Sequence, residues 1–240
     1  MKEARYFYVP NAADSDELPA EEATHALRVL RLKPGDEMFL MDGRGGIYKA
    51  HVTQADKHCR YQIDEASQTD KTWHAHIHLA IAPTKMMDRI EWLAEKATEI
   101  GFDELSFLNC KFSERKSLRI DRIEKIVVSA VKQSRKPLMP IVNDLCSFKQ
   151  FVEAHPSGHR YIAHCYDEIA RTDFHNELNT LADDDDVVIL VGPEGDFSID
   201  EVRMALNHGF QSVTLGQSRL RTETAGLYAV MMAQLAKRNE

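Results

Sequence analysis

The stretch Val187–Tyr228, VVILVGPEGDFSIDEVRMALNHGFQSVTLGQSRLRTETAGLY, decides the fold prediction for this chain. It opens with five β-prone apolar residues, Val187–Val191. This run is too unbroken for a half-exposed strand and too short for a helix, so we predict a strand buried on both faces of a parallel sheet. The turn Gly192-Pro193-Glu194-Gly195 follows at once, and its glycines remove side chains where a ligand would approach the backbone.

A helix and a second strand with its own glycine turn come next. Ser198 and Glu201 form a capping-box pattern at the start of the helix. Strand Ser212–Leu215 then runs into Gly216, and Thr222 is placed to cap a final helix. Two strand ends therefore each bring a glycine turn to the carboxyl edge of the sheet, where ligands bind in open α/β folds. Ordinary connecting loops are the alternative, but the polar Arg-Thr-Glu-Thr cluster beside the turns favours a binding site.

Composition excludes several classes of protein. The chain has 240 residues and a formal net charge of −8, which argues against binding nucleic acid by bulk electrostatics but not against a local basic patch. It has no run of 18 apolar residues and no apolar signal-peptide core at its N-terminus, so we predict a cytoplasmic protein without a membrane span. Its four cysteines form no CxxC pair, which argues against a zinc ribbon and a disulfide framework.

The N-terminal part is rich in short strands. A helical segment His25–Leu32 comes first, with Leu27, Leu30 and Val29 predicted to face inward. Three strands follow with little helix between them, a spacing typical of a small β-barrel. They are Met38–Met41, Ile47–Thr53 and Arg60–Asp64. We place the domain boundary after residue 72, giving a barrel domain over 1–72 and an α/β domain over 73–240.

From His76 onward strands alternate with amphipathic helices, the pattern of βαβ units. The predicted helices are Lys85–Ile100, Arg119–Ser134 and Ser147–His155, and the predicted strands include Glu104–Cys110 and Tyr161–His164. The residues His74, His76 and His78 share one face of the first strand at a spacing that metal ligands use. Because no carboxylate or cysteine accompanies them at matching spacing, we predict packed or solvent-facing histidines and no metal.

Several motifs together resemble a known family. The segments LVGPEGDFS and LGQSRLRTETA, with ATEIG at 97–101, AVKQSR at 130–135 and HALRVLR at 25–31, are similar to the RsmE family of the SPOUT superfamily. That family methylates N3 of a uridine in 16S ribosomal RNA. The resemblance implies a small PUA-like β-barrel, then an α/β domain with a mainly parallel sheet whose C-terminal segments form a trefoil knot. It also implies a homodimer acting on RNA within the small ribosomal subunit. Asp196 departs from the family, in which glycine is more usual.

The resemblance implies S-adenosyl-L-methionine as cofactor. We expect its pocket at the glycine turns, where strand-end amides read the adenine edge and leucines pack on its faces. The strand ending at His164 is expected to supply a third wall. The predicted cofactor contacts are His164, Gly192, Pro193, Glu194, Gly195, Leu215, Gly216, Leu220, Arg221 and Thr222.

Uridine N3 carries a proton between two carbonyls, so its methylation needs a proton acceptor and a cationic stabiliser. Arg221, Arg135 and Gln133 are candidates to hold the uracil carbonyls or a phosphate. Glu223 or Glu99 would orient an arginine or accept the proton, and the alternative for both carboxylates is a purely structural role at a helix end.

Basic residues of the barrel are the predicted contacts to the RNA backbone, and each one alone is also explained by solvent exposure. They are Arg5, Arg28, Arg31 and Lys33. Two other functions stay open at this point. One is methylation of another ribosomal or transfer RNA position by a related knotted enzyme, and the other is a non-catalytic RNA-binding assembly protein.

Overall fold

The computed structural model describes residues 4–155 and 157–238 and divides the chain into two compact units. The N-terminal unit runs to Lys71 and includes Val128–Met139, whereas the sequence division placed that segment in the C-terminal domain. Backbone hydrogen bonds explain the grouping, because Gly45 N donates to Pro137 O (3.0 Å) and Met139 N donates to Gly43 O (2.9 Å). The C-terminal unit comprises Thr72–Val127 and the chain from Pro140 onward.

Four strands form the sheet of the N-terminal unit, in the order β1-β2-β3-β4. They are β1 (Tyr6–Tyr8), β2 (Glu37–Met41), β3 (Gly46–Ala55) and β4 (Cys59–Gln68). The pair β1 and β2 is parallel and the other two pairs are antiparallel. The three predicted strands are thus confirmed. Phe7, Met38, Leu40 and Tyr61 are buried in the core of this unit.

The helical segment of the N-terminal unit differs from the prediction in its winding. Helix α1 (Ala20–Thr24) continues into a π-helical turn, His25–Val29. Leu27 and Leu30 pack against the core as predicted. The inward placement of Val29 was wrong, because this side chain is 65% exposed. The wider π turn, closed by Leu30 N on His25 O at 3.0 Å, changes which residues share a face relative to α-helical spacing.

The C-terminal unit is built on a seven-stranded sheet in the order β7-β6-β5-β10-β8-β11-β9. All its strand pairs are parallel. The strands are β5 (Ile77–Ile81), β6 (Glu104–Asn109), β7 (Ile141–Ser147), β8 (His159–Ala163), β9 (Thr172–Asp173), β10 (Val187–Val191) and β11 (Gln211–Thr214). The central strand β10 lies between β5 and β8, which explains its continuous apolar sequence and confirms the predicted buried strand.

Helices alternate with most of these strands along the chain. They are α2 (Met87–Ile100), α3 (Ile120–Ser134), α4 (Phe148–Ala154), α5 (Phe174–Leu178), α6 (Ile199–Asn207) and α7 (Thr222–Lys237). The capping box predicted for α6 is confirmed, with Glu201 N bonded to Ser198 Oγ. The cap predicted for α7 was wrong: Thr222 is already the first helical residue, and the extended residue before it, Arg221, caps without a side-chain hydrogen bond.

The last helix crosses back over the sheet. Helix α7 follows β11 but packs against α2, β5 and β10. Gly226 permits this close approach, because a Cβ at that position would lie 2.8 Å from Ile81 Cδ1. No helix within residues 4–155 and 157–238 is long and apolar enough to cross a membrane.

Candidate functional site

A cavity of about 1150 Å³ opens at the carboxyl edge of the C-terminal sheet. It lies where β10 ends at Val191, β8 ends at Ala163 and β11 ends at Thr214. Every residue of the predicted cofactor set lines it: His164, Gly192, Pro193, Glu194, Gly195, Leu215, Gly216, Leu220, Arg221 and Thr222. The carboxyl ends of three neighbouring parallel strands therefore bring residues that are far apart in the sequence around one space.

The turn after β10 needs glycine at its first position. A Cβ on Gly192 would lie 2.9 Å from the backbone nitrogen of Phe197, closer than real contacts allow. Gly195 has more room, since its nearest neighbour would be Phe112 Cβ at 3.4 Å. The carboxylate of Glu194 is held outside the turn, where Lys85 N donates to its Oε1 at 2.8 Å. The turn is thus packed on one side and open on the other.

Asp196 fixes the end of this turn in a conformation that favours glycine. Its φ is +65°, and its backbone nitrogen donates to Pro193 O at 2.9 Å. Both carboxylate oxygens accept backbone hydrogen bonds, one from Phe197 N (2.7 Å) and one from Cys165 N (2.8 Å). Asp tolerates the left-handed region because its side chain bonds the local backbone. Asp196 thus holds the left-handed turn and links it to the segment after β8.

His164, the residue after β8, lines the cavity. It is 4% exposed, its Nε2 lies 2.9 Å from Ser212 Oγ, and Tyr166 N donates to its Nδ1 at 3.2 Å. Because Nδ1 accepts, the ring is neutral and Nε2 carries the proton that is donated to Ser212. Burial lowers the pKa of His164, with Asp196 opposing this change. The residue therefore presents a neutral, fixed ring to the cavity.

The second glycine turn follows β11. Gly216 has φ +107° and no atom would lie within 4 Å of its missing Cβ. Thr214 Oγ1 donates to Gly216 O at 2.9 Å and holds the turn closed. Leu215 and Leu220, both half-buried, add apolar surface on either side of this turn. The arrangement offers free space and backbone polar groups next to apolar side chains, as a flat heterocyclic ligand requires.

A buried ion pair lies at the start of α7. Glu223 is 7% exposed, and its Oε1 lies 3.7 Å from Arg89 Nε. Its other oxygen, Oε2, is buried without a hydrogen-bond donor. Arg89 itself lines the cavity from the first turn of α2. Glu223 is not among the residues that line the cavity, and Arg89 connects its carboxylate to the site.

Sequence reasoning missed the three arginines Arg89, Arg171 and Arg219, which line the cavity with Arg221. Arg171 donates to His164 O (2.8 Å) and to Asp167 Oδ1 (2.7 Å). The position of Arg89 was a usable signal, because it lies in the first helical turn after a strand that ends at the same edge. For Arg171 the sequence held no such signal, since the short strand β9 beside it was not predicted.

Other predicted site residues lie elsewhere. Glu99 pairs with Lys96 Nζ at 2.8 Å near the end of α2 and is not among the residues that line the cavity. Gln133 and Arg135 belong to the N-terminal unit, where the Arg135 guanidinium lies 5.3 Å from the centre of the Tyr6 ring. In that unit Arg28, Arg31 and Lys33 are exposed, and Arg5 Nη1 lies 4.0 Å from Asp36 Oδ2.

His76, just before β5, and His78 within it take part in a polar cluster. His76 Nε2 lies 2.9 Å from Glu104 Oε2, and the buried His78 bonds Ser106 Oγ at 2.8 Å. Asn143 donates to both Glu104 Oε1 (2.6 Å) and Ser106 Oγ (2.8 Å). These neighbours account for His76 and His78, and no metal-binding group of three or more His, Cys, Asp or Glu residues occurs in the described part of the chain.

Two family models and several solved structures match this chain. Residues 71–234 match the model of an RNA methyltransferase domain, and residues 18–58 match that of an RNA methyltransferase PUA domain. A probable rRNA-methyltransferase from Porphyromonas gingivalis is 40% identical, with a TM-score of 0.89 and coverage of 97% of this chain and 98% of that one.

Two further relatives carry a more specific name. Ribosomal RNA small subunit methyltransferase E from Neisseria gonorrhoeae, solved bound to S-adenosyl methionine, is 28% identical over 97% of this chain and 98% of that one, with a TM-score of 0.85. The methyltransferase E of Rickettsia conorii is 25% identical over 98% of this chain and 96% of that protein. The α/β fold is thus of the SPOUT type with an N-terminal PUA-like domain, and the chain belongs to the RsmE family of RNA methyltransferases.

Proposed function

We propose that this protein transfers a methyl group from S-adenosyl-L-methionine to N3 of a uridine in 16S ribosomal RNA. One observation carries the proposal. The residues expected from the sequence to hold the cofactor converge on one cavity at the carboxyl edge of the sheet. The Neisseria gonorrhoeae relative, which was solved with S-adenosyl methionine, supports the same assignment because the two chains superpose over almost their whole length.

The residues of the cavity fit this cofactor. The open Gly216 turn and the free side of Gly195 leave space at the backbone, and Leu215 and Leu220 supply apolar surface for an adenine ring. Neutral His164 adds a polar wall without a competing positive charge next to a sulfonium ligand. Carboxylates among the lining residues, including Glu194 and Asp196, supply negative charge. We therefore assign the cofactor to these residues.

The bound cofactor supplies an electrophilic methyl group, and the residues of the chain must prepare the uracil. Arg221, exposed at the cavity before α7, is positioned to hold a uracil carbonyl as the N3 proton leaves. Of the two predicted carboxylates, Glu223 is better placed to take that proton, since it adjoins the cavity residues Arg89 and Thr222 and its Oε2 has no hydrogen-bond donor. Glu99 is instead held by Lys96. Arg89 keeps the Glu223 carboxylate in place.

The N-terminal unit is assigned to RNA binding. Arg28, Arg31 and Lys33 are exposed on it, and charges at the surface of an acidic protein guide phosphate to a local patch. Arg5, Gln133 and Arg135 belong to the same unit and complete the proposed set of RNA contacts. The substrate would be 16S ribosomal RNA within the small ribosomal subunit, which places the protein in the cytoplasm.

A homodimer is part of the proposal. Tyr228, Met231 and Leu235 share one face of α7 and are 41%, 40% and 56% exposed. Trp92, 43% exposed, lies on α2, which packs against α7. Large apolar side chains displayed together on neighbouring helices are typical of a subunit interface. Because α7 also supplies cavity residues, a second copy on this face would lie close to the site.

The function is tested by mass spectrometry of 16S ribosomal RNA from cells that lack the protein. We expect one uridine to lose its N3-methyl group, and the wild-type protein to restore it. A Glu223→Gln variant should restore little of the methylation, whereas Lys149→Gln, a change at an exposed residue of α4, should act as wild type.

Unchanged 16S RNA with a methyl group lost from transfer RNA would favour the related enzyme. Purified protein that binds RNA but not the cofactor would favour a non-catalytic assembly protein.

A further inference from the structure

The loop between β6 and α3 displays an aromatic ring while its backbone is held firmly. Phe112 is 47% exposed. On one side of it Lys111 N donates to Glu201 Oε1 at 2.8 Å. On the other side Ser113 N donates to Cys110 O (3.1 Å), and Cys110 N donates to Ser113 Oγ (3.0 Å). The exposure of this ring is therefore built into an ordered turn.

The same loop is attached to the wall of the cofactor cavity. Arg115 donates to Thr84 O (3.1 Å) and Lys85 O (2.5 Å), and Lys85 N in turn bonds the cavity residue Glu194. A Cβ on Gly195 would lie 3.4 Å from Phe112 Cβ, so the aromatic residue sits against the glycine turn itself. Phe112 thus occupies the outer side of a turn whose inner side lines the cavity.

The surroundings of Phe112 are basic in an acidic protein. Residues 111–122, KFSERKSLRIDR, contain five basic and two acidic side chains, while the whole chain has a net charge of −8. Arg115 bonds backbone carbonyls, and Lys116 Nζ bonds Asn109 Oδ1 (3.1 Å) and Cys110 O (3.4 Å). These partners are neutral, so the positive charge of both side chains is retained. Lys111 and Arg119 have exposed carboxylate partners, Asp200 at 3.7 Å and Asp121 at 2.9 Å.

We propose that Phe112 is a stacking platform for a base of the single-stranded RNA segment that carries the target uridine, with Lys111, Lys116 and Arg119 holding its phosphates. An exposed aromatic ring among cations is the arrangement that binds single strands, because every base offers a π-face and every nucleotide a phosphate. This inference rests on the proposed function and gives the C-terminal unit an RNA contact of its own. In a two-fold symmetric dimer this basic surface would face its own copy, so its charge favours RNA over a second copy as the group that covers the ring.

Binding of a single-stranded oligouridylate to the full-length protein tests the proposal, with affinity measured by fluorescence anisotropy. We expect Phe112→Ala to weaken binding about tenfold. Phe112→Trp should bind as the wild type does, since any large aromatic ring retains stacking. Lys116→Ala should reduce the slope of the logarithm of the binding constant against the logarithm of salt concentration by about one, the value for one phosphate contact. Lys149→Ala, an exposed lysine of α4 paired with Glu153 at 3.7 Å, is the matched control and should change neither quantity.

Two further measurements separate the explanations. Calorimetric titration should give equal S-adenosylmethionine affinity for wild type and Phe112→Ala, and sedimentation should give equal oligomeric states. RNA affinity that is unchanged in Phe112→Ala overturns the proposal, as does a parallel loss of cofactor affinity, which would make the ring a support of the cavity wall. A changed oligomeric state with unchanged RNA binding would assign the ring to a second copy. Absence of methylation, with the RNA effect intact, would instead count against the proposed function alone.

Discussion

Arg89 Nε lies 3.7 Å from Glu223 Oε1, and this pair joins the start of α2 to the start of α7 beside the cavity. Removing only the arginine leaves a carboxylate that is 7% exposed without its cation, which is costly in a partly buried site. We expect Arg89→Ala to lower the free energy of unfolding by about 2 kcal/mol. The double variant Arg89→Ala/Glu223→Gln should recover part of this loss, as measured by urea unfolding. Additive losses in the double variant would show that the two groups do not interact.

Alanine substitutions at Gly216 and Gly158 distinguish the effect of backbone strain from an effect on cofactor binding. Both have positive φ, +107° and +92°, with open space at the missing Cβ. Alanine at either position should destabilise the fold by about 1–2 kcal/mol through strain alone. Only Gly216 lines the cavity, so only Gly216→Ala should also reduce S-adenosylmethionine affinity in calorimetric titrations. Equal cofactor affinity in the two variants would remove the second glycine turn from the site.

Asp196 combines a left-handed backbone with two side-chain acceptors. Asp196→Asn should be the mildest change, because asparagine tolerates positive φ and keeps an acceptor oxygen. Asp196→Gly relieves strain but loses the bonds from Phe197 N and Cys165 N. Asp196→Ala loses the bonds and keeps the strain, so we expect it to cost the most, about 2 kcal/mol. Thermal unfolding of the three variants checks this order, and alanine more stable than glycine would contradict it.

His78 should make stability depend on pH. Burial lowers the pKa of this imidazole from 6.5 to about 4, partly opposed by Glu104. The unfolded chain therefore binds more protons between these values, and the folded state loses stability as pH falls from 6.5 toward 4. The loss due to His78 is about 2 kcal/mol at pH 5. Urea unfolding at pH 7 and pH 5 should show a smaller difference for His78→Asn than for wild type.

His76 acts in the opposite direction in the same cluster. Its hydrogen bond to Glu104 raises the pKa of His76, so its contribution is present below pH 6.5 and is lost as pH rises through the folded value. A His76→Asn variant should therefore fall more steeply in stability than wild type when the pH is lowered. If the free energy of unfolding changes with pH equally in His76→Asn and His78→Asn, then neither imidazole determines the loss of stability in acid.

The apolar face of α7 predicts the effect of a buried charge on assembly. Leu235→Glu places a carboxylate where the proposed partner subunit would exclude water, so we expect sedimentation to show a monomer. Arg203→Glu, on an exposed site of α6, makes a larger change in net charge away from that face and should leave the dimer intact. A monomeric wild-type protein would rule out the homodimer.

The turns of the site were predictable because their information is local. A buried apolar strand followed by Gly192 and Gly195 needs no knowledge of distant residues, and the Ser198 and Glu201 box fixes the next helix in four positions. The position of Arg89 near the sheet edge could be read from the sequence, but its pairing with Glu223 could not, because packing alone brings the two side chains close. Helical periodicity sorts side chains by polarity and says nothing about which polar residue turns toward a cavity.

The grouping of Val128–Met139 with the N-terminal unit was also beyond sequence reasoning. The amphipathic pattern of α3 is continuous, and nothing in it marks a change of unit at Val128. The deciding contacts are long-range, such as Lys132 Nζ with Glu22 Oε1 at 2.6 Å. The crossing of α7 likewise depends on its packing against α2, β5 and β10, which local pattern does not encode.

The position of α7 has a consequence for how the protein is made. The helix supplies Thr222 and Ala225 to the cavity wall, and its end is tied to the first residues of the unit, with His74 N bonded to Lys237 O and Trp73 paired with Arg238. During synthesis the strands β5 to β11 leave the ribosome before this helix does. The nascent chain thus has no complete binding site for its methyl donor until α7 has emerged.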